Sequence, residues 1–533
     1  MSAVTNQLLS SHNFGSIDWA IVVASGFLLL GIGFYYSRRQ RTTDDYFLAG
    51  RNQSPLLAGV SLFAALFTLV AFIGVPGEIV QHGPVLVIAS VTVLPFSYFV
   101  LGRFLIPAFM RLPITSGYEL LESQLGRPVR LAASITFICV RLVWMALILY
   151  AAAAVLVNVT GCDRRWMPLI AAVIGTLSTL YTLAGGMEAV MTTAVLEFAL
   201  LLLGAVLTVA LISYRMGGLA PWWPEQAPSH WLPQPFFSWD PHIRLTAVGT
   251  CISYFISTVC AGGSDQVAIQ RYLTTRNAAA ARRAVMFGHI TVGIILLSLG
   301  LVGTALLGYY RVFPNELPVG LSLAKNGDAI FPYFLSHGLP VGVSGLVVAG
   351  LLTSAVSGIS PSINSVIAVV NQEFSARFVP AGAQAEATKI RLARILALVI
   401  GVVIIAGSLA MGQVKGNLVE VSGKTVNVFF YPIFGLFFMA LFVRFATAFG
   451  AIMGAIYGLT AGIIVGYWDV FTGLSKLSFQ WIGPTSLVVA LTASCLFSLL
   501  PTKGRPAWVS GAWSMGALFL LALGVTQILG LKS

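Results

Sequence analysis

The sequence predicts an all-α polytopic membrane protein with about 14 transmembrane helices, and three observations carry this prediction. Of the 533 residues, 57% are hydrophobic and only 9% are charged, whereas a typical soluble protein has about 25% charged residues. The mean hydropathy is +0.89. Hydrophobic runs of about 20 residues follow one another, and each is long enough to cross a bilayer as a helix. The predicted spans are residues 17–37, 54–80, 84–110, 130–158, 165–184, 188–214, 244–268, 281–309, 340–370, 390–411, 419–443, 446–467, 481–500 and 507–530.

Basic residues mark the loops on one side of the membrane. They cluster in every second loop, in the stretches Arg38–Arg51, Arg111–Arg130, Arg271–Arg283, Arg377–Arg394 and Lys503–Arg505. Because cytoplasmic loops are enriched in Lys and Arg, these loops are predicted to be cytoplasmic and both termini extracytoplasmic. The net charge of +12 is explained by this pattern, so a lipid bilayer is the expected partner and nucleic acid is not. We therefore expect a multi-pass protein of the cell membrane.

The order of the spans suggests two halves. Spans two to six and seven to eleven form two sets of five, separated by a loop rich in Trp and Pro. Since five is an odd number, the halves would insert with opposite topology, as in transporters built from inverted repeats. The predicted organisation is a first peripheral helix and cytoplasmic loop (1–53), a first core repeat (54–214), an external loop (215–243), a second core repeat (244–443) and C-terminal peripheral helices (444–533).

The first core helix carries features that a plain membrane anchor does not need. Thr68 lies in an apolar run, and Gly74-Val75-Pro76-Gly77 follows it. Proline cannot donate to the preceding turn, and each glycine disfavours a helix by roughly 1 kcal/mol. Backbone carbonyls freed inside a membrane are tolerated only where they face protein, water or an ion. A break at residues 74–77 therefore predicts an ion or solute pathway.

Four stretches resemble those of one family. The segment 45–51 (DYFLAGR) is similar to the signature before the first core helix of sodium:solute symporters, the relatives of the sodium/proline, sodium/glucose and monocarboxylate or multivitamin cotransporters. Residues 111–127, 181–190 and 265–273 resemble further motifs of that family, although loop folding and helix capping are alternative roles for them. The resemblance implies a LeuT-like five-plus-five inverted repeat with peripheral helices.

The resemblance also implies a sodium site. Residues 357–365 (SGISPSINS) are similar to the family motif on the eighth core helix, where hydroxyl and carbonyl oxygens bind sodium. Carried over to this chain, the ligands are the carbonyls of Ala64, Phe67 and Ser354, the Ser357 hydroxyl and position 358. Such hydroxyls can instead bond to carbonyls of their own helix. Sodium is the expected coupling ion, and no other metal or cofactor is expected.

This chain departs from the family pattern at the sodium site. Gly358 supplies no hydroxyl, and Ala194 stands where many relatives have Asp. Glu197 lies one turn further on, and a carboxylate embedded in a membrane is a functional candidate by default. Proton coupling through Glu197 is therefore an alternative to sodium coupling.

The substrate is predicted to carry a carboxylate. Positions that hold sugar in the glucose branch correspond mostly to apolar or small residues here: Ala71, Val91, Leu94, Thr258, Ala261 and Gly423. The candidate lining residues are Thr68, Thr258, Lys424, Asn427 and Arg141. Lys424 has the alternative of extending to the membrane surface. A basic group in the cavity favours an anionic solute.

Together these features predict a secondary active transporter, not an enzyme, that carries a small organic solute with sodium by alternating access. The sequence shows no nucleophile motif, metal-ligand cluster or paired carboxylates. Two alternatives stay open: the same fold coupled to protons or uncoupled, and a membrane sensor that binds solute without transport.

Overall fold

The computed structural model describes residues 14–38, 48–66, 69–111, 117–378, 383–414 and 417–500. In this part of the chain the structure is helical, without strands. The helices are α1 (Ser16–Ser37), α2 (Pro55–Leu66), α3 (Leu69–His82), α4 (Val85–Val100), α5 (Ile106–Met110), α6 (Gly117–Leu125), α7 (Arg127–Thr160), α8 (Met167–Met216), α9 (Ala247–Ser264), α10 (Gln266–Leu273), α11 (Ala278–Val312), α12 (Gly327–His337), α13 (Val343–Phe378), α14 (Ala383–Met411), α15 (Leu418–Ser422), α16 (Val428–Phe442), α17 (Ala448–Gly466), α18 (Trp468–Thr472) and α19 (Ile482–Ser498).

Twelve helices of the described residues are long and apolar enough to cross a membrane, and the bent pair α2–α3 raises the number to 13. The predicted spans 165–184 and 188–214 both lie in α8 and meet at a kink at Gly186. The φ of Gly186 is 56° and its ψ is −166°, a conformation that favours glycine over residues with a side chain. The predicted span 507–530 lies outside the described residues.

The break in the first core helix is not where the sequence predicts it. Helix α3 continues through Gly74 and Pro76, and the chain bends instead between Leu66 and Leu69, where α2 and α3 differ in direction by 64°. The glycines serve close packing. A Cβ on Gly74 would lie 3.1 Å from Val419 Cγ2, and one on Gly77 would lie 2.8 Å from the Asp328 nitrogen. The absence of side chains at these glycines therefore allows neighbouring segments to approach α3.

The first helix of the second half is also broken. Helix α9 ends at Ser264 and α10 begins at Gln266, and Asp265 between them accepts a 3.0 Å hydrogen bond from the Val267 nitrogen. Helix α10 is buried throughout. Arg271, which the sequence places in a basic loop, is only 1% exposed, so the interpretation of Arg271 as a loop charge is wrong.

Helices from both halves pack against one another. Helix α8 packs along α13, α11 packs against α2 and α3, and α9 packs against α4. Helix α1 lies against α8 and α13. The buried carboxylate of Asp18 accepts hydrogen bonds from the Gly342 and Gly345 nitrogens, each at 2.7 Å, at the beginning of α13. The peripheral helix α1 thus caps a core helix.

Helices α17 and α19 form the most closely packed pair in the described part of the chain. Glycines recur at every fourth residue of α17, and they face small residues of α19. A Cβ on Gly450 would lie 2.6 Å from the Ser498 nitrogen, and one on Gly458 would lie 2.5 Å from the Ala490 Cβ. Small residues with this spacing let helix backbones approach closely in a membrane.

Candidate functional site

A cavity of about 250 Å³ lies between the two broken helices. Its wall is mostly apolar and includes Leu62 and Phe63 from α2 and Val70, Ala71 and Val75 from α3. Eight lining residues carry polar atoms: Arg141, Trp144, Tyr254, Ser257, Thr258, His289, Ser422 and Asn427. An apolar cavity with a few polar groups suits a small organic molecule, because the apolar wall supplies contact area and the polar groups fix orientation.

The structure brings three of the predicted substrate residues to this cavity. Arg141, Thr258 and Asn427 line it, as do four of the positions assigned by resemblance to sugar binding: Ala71, Leu94, Thr258 and Ala261. Lys424 is not among the lining residues; its ammonium nitrogen lies 2.9 Å from Glu420 Oε1, four residues earlier. Thr68 lies outside the described residues.

Arg141 is the one lining residue with a permanent charge. Its side chain is only 1% exposed and forms an ion pair with Asp265, and its Nη1 donates to the Ser362 hydroxyl at 3.3 Å. The guanidinium carbon lies 5.8 Å from the ring centres of both Phe137 and Phe430, a distance at which a cation and an aromatic face attract. Arg141 Nε has no hydrogen-bond acceptor among the residues that the structure describes. The cavity wall therefore holds a cation with one N–H donor for which the described residues supply no acceptor.

Five polar lining residues were missed in the sequence: Trp144, Tyr254, Ser257, His289 and Ser422. Tyr254 and Ser257 lie on α9, one turn before or beside the predicted Thr258, so this spacing was the available signal. His289 Nδ1 lies 2.9 Å from the Val285 carbonyl oxygen, to which it must donate, and Nε2 lies 3.1 Å from the Ser97 hydroxyl. A single histidine in an apolar span gives no sign that it faces a cavity.

The predicted sodium ligands lie on two helices that pack together. Ala64 is on α2, and Ser354, Ser357 and Gly358 are on α13. All four are buried. Phe67 lies outside the described residues. The Gly358 carbonyl accepts a hydrogen bond of 3.1 Å from Ser362. The arrangement places carbonyl and hydroxyl oxygens, the ligand type that hard cations prefer, close to the break between α2 and α3.

Glu197 projects from α8 toward the same serines. Its side chain is fully buried and interacts with the hydroxyls of Ser354 and Ser357. Within the described part of the chain, neither of its oxygens nor either hydroxyl makes a hydrogen bond of good geometry. Buried polar groups usually have partners, so these four oxygens are chemically suited to receive an alkali cation or a proton. The Gly358 position lacks a hydroxyl, and Glu197 brings a carboxylate to its neighbourhood.

A mostly apolar cavity between two broken helices, in a protein that also buries oxygens suited to a cation, is typical of a membrane transporter of small solutes. The sodium:solute symporter family matches residues 46–458 of this chain. The chain therefore belongs to the sodium:solute symporter family. It belongs to a family of sodium-coupled secondary active transporters rather than to a family of enzymes, and it has a LeuT-like fold, as the sequence predicts.

Individual relatives match over nearly the full chain. The sodium/sialic acid symporter SiaT of Proteus mirabilis is 29% identical over 498 residues, which are 90% of this chain and 95% of that protein. The sodium-dependent multivitamin transporter of Oryctolagus cuniculus is 28% identical over 540 residues, covering 97% of this chain and 82% of that protein. A solved structure of a Na+-coupled sialic acid symporter in a substrate-bound outward-open state matches with a TM-score of 0.77 at 26% identity, covering 92% of this chain and 98% of that one.

Proposed function

We propose that this protein carries a small carboxylate-bearing organic solute together with sodium, by alternating access. The observation that carries the proposal is Arg141: a buried guanidinium on an otherwise largely apolar cavity wall, with an Nε donor that has no acceptor in the described part of the chain. A guanidinium matches a carboxylate in charge and in planar geometry. The similar sialic acid symporter is named for an acid, which agrees with this substrate class.

We propose that the cation binds between α2, α8 and α13. The ligands are the carbonyls of Ala64, Phe67 and Ser354 and the Ser357 hydroxyl, with Gly358 at the position of the missing hydroxyl. Glu197 supplies negative charge next to them, which offsets the cost of bringing a cation into the membrane. The packing of α2 on α13 supports the site, because it brings the two ligand-bearing helices together.

Proton coupling is the second candidate, and Glu197 is the observation that favours it. A fully buried carboxylate that interacts with two hydroxyls can bind a proton in place of a metal ion. In that case Glu197→Gln keeps the shape of the side chain and abolishes coupling to a pH gradient, and sodium has no effect on uptake.

We propose that residues 54–214 and 244–443 are the two inverted core repeats. The break between α2 and α3 and the break at Asp265 support this division, because each lies in the first helix of its half. In a lipid bilayer, the basic loops face the cytoplasm, both termini face outward, and the loop 215–243 covers the external side. Two side chains of this loop, His230 and Trp231, lie 2.9 and 3.2 Å from the Val80 carbonyl oxygen near the end of α3.

Uptake of labelled sialic acid and pyruvate into proteoliposomes tests the substrate and the ion together. We expect an inward sodium gradient to drive uptake of at least one of these acids and not of glucose. Arg141→Gln should weaken the apparent affinity roughly 10- to 100-fold, the value of a hydrogen bond to a charged group. Arg165→Gln is the matched control, since the Arg165 ion pair with Asp163 is exposed. Sodium-driven uptake of glucose, with no uptake of either acid, would contradict the proposal.

A further inference from the structure

Arg141 already has a carboxylate partner inside the protein. Asp265 lies in the break between α9 and α10, is 1% exposed, and uses its two oxygens for different purposes. Oδ1 accepts the 3.0 Å hydrogen bond from the Val267 nitrogen, and Oδ2 forms the ion pair with Arg141 Nη2. The same carboxylate therefore caps α10 and neutralises the cavity guanidinium.

Counted over the described charged groups Arg141, Arg271 and Asp265, the surroundings of this pair carry one positive charge in excess. Arg271, on α10, is close enough to Arg141 to interact with it electrostatically. Its described partners are neutral oxygens: the carbonyls of Ser61 and Val267 and the Ser61 hydroxyl. Two guanidinium groups and one carboxylate thus lie in this buried region, with only Arg141 paired to Asp265, and an anion that enters the cavity completes the charge balance.

The donors of Arg141 determine how a second carboxylate can bind. A bidentate contact with one edge of a guanidinium uses Nε and Nη2 together. Nε has no described acceptor, whereas Nη2 is the nitrogen that Asp265 holds. A substrate that takes this edge therefore competes with Asp265 for Nη2, because two carboxylates on the same nitrogen repel each other.

A third contact connects Arg141 to the helix of the cation site. The Ser362 hydroxyl receives the 3.3 Å hydrogen bond from Arg141 Nη1 and donates at 3.1 Å to the Gly358 carbonyl. A movement of Arg141 is transmitted to the Gly358 carbonyl through the Ser362 side chain. The pair Arg141–Asp265 therefore joins three elements: α7, the break between α9 and α10, and α13.

We propose that Asp265 is the internal counterion of Arg141 and that the substrate carboxylate displaces it, which frees the break between α9 and α10 to move. The inference rests on the proposed carboxylate substrate. After the conformational change, Asp265 returns to Nη2 and expels the substrate carboxylate. Asp265 is thus a positioning residue: it lowers the affinity for the substrate and makes its release faster.

The test is Asp265→Asn, which removes the charge and keeps an oxygen that can cap Val267. We expect purified protein in saturating sodium to bind sialic acid or pyruvate roughly tenfold more tightly than the wild type, a typical size for coupling between two sites. In proteoliposomes KM should fall and the maximal rate should fall with it, because release is slower. A purely structural role would instead weaken binding. Asp163→Asn changes the exposed pair with Arg165 and should leave both the dissociation constant and KM unchanged.

Three results separate the possible failures. If an acid binds the wild type and Asp265→Asn binds it equally or more weakly, the counterion role is overturned while the substrate class stands. If neither acid binds either protein, the proposed substrate class fails and the counterion role fails with it. Should Asp265→Asn not fold, a structure of the wild type with sialic acid decides: an Arg141–Asp265 pair that remains intact beside the bound carboxylate overturns the inference.

Discussion

Glu78 and Arg244 form a two-point ion pair in which Arg244 Nη2 lies 2.9 Å from Glu78 Oε2. The Asn417 amide donates to the same oxygen at 2.7 Å. The pair therefore ties α3 to the residues just before α9 and to the beginning of α15. Helix α15 covers one end of the cavity, where Val419 and Ser422 line it. These contacts hold α15 in place at that end of the cavity.

We predict that Glu78→Gln opens this end. The Glu78 side chain is fully buried and that of Arg244 is 11% exposed, so loss of the charge leaves a largely buried guanidinium without its counterion. The expected cost is about 3 kcal/mol of folding free energy. A cysteine at Val292 in the cavity wall, with the native cysteines replaced by serine, should react faster with a water-soluble thiol reagent. Equal reaction rates with and without Glu78→Gln would show that the pair does not close the cavity.

Asp328 should make the stability of the protein depend on pH. Burial raises the pKa of Asp328 to about 7, the Leu418 N–H lowers it, the Glu78 carboxylate raises it and Arg244 lowers it. The pKa of Asp328 is higher in the folded protein than its unfolded value of about 3.9, so the protonated carboxyl stabilises the folded state. This stabilisation is complete below about pH 3.9 and is lost as the pH rises through 7. Between pH 6 and 8 the free energy of unfolding should fall by about 1.4 kcal/mol.

The apparent melting temperature at pH 6, 7 and 8 measures this effect. Asp328→Asn keeps an oxygen for the Leu418 N–H, which now lies 2.6 Å from Asp328 Oδ2, and removes the titrating group. The melting temperature of this variant should change less over the range than that of the wild type. The same pH dependence in both proteins would assign it to another group.

Asp18→Ala should weaken the cation site from a distance. Its carboxylate caps the beginning of α13 through the Gly342 and Gly345 nitrogens and accepts a further 2.8 Å bond from the Gly15 nitrogen. Loss of a helix cap costs about 1–2 kcal/mol. We expect a lower melting temperature and a higher sodium concentration for half-maximal uptake, because α13 carries Ser354 and Ser357. For Asp18→Asn, which keeps an acceptor, both values should lie between those of the wild type and those of Asp18→Ala.

Gly358→Ser should strengthen sodium binding, and Ser357→Ala should weaken it. Each change adds or removes one oxygen, worth on the order of 1–3 kcal/mol by analogy with hydrogen bonds to charged groups, or about 10- to 100-fold in affinity. The measurement is the sodium concentration that gives half-maximal uptake. If both variants keep the wild-type value, sodium binds elsewhere and proton coupling through Glu197 becomes the leading mechanism.

The sequence predicts the helices well and their long-range partners poorly. Runs of apolar residues define the spans because each span must satisfy its own backbone in the membrane. Arg141 is recognisable as a charge in an apolar run, but its pairing with Asp265 joins residues on different helices, which no local pattern encodes. The cap that Asp18 gives to α13 is missed for the same reason. Pro76 and the nearby glycines predict a helix break that does not form at residues 74–77. The glycines pack against α12 and α15 instead, a role that depends on neighbours far away in the chain.

The glycine spacing of α17 has a mechanical consequence. Because a methyl group at Gly450 or Gly458 would collide with α19, a rotation of either helix that brought a larger neighbouring side chain into the contact would be blocked. The two helices can therefore turn only together. In a protein that works by rocking one group of helices against another, such a pair behaves as one rigid unit. The moving helices then change position relative to this unit in the bilayer.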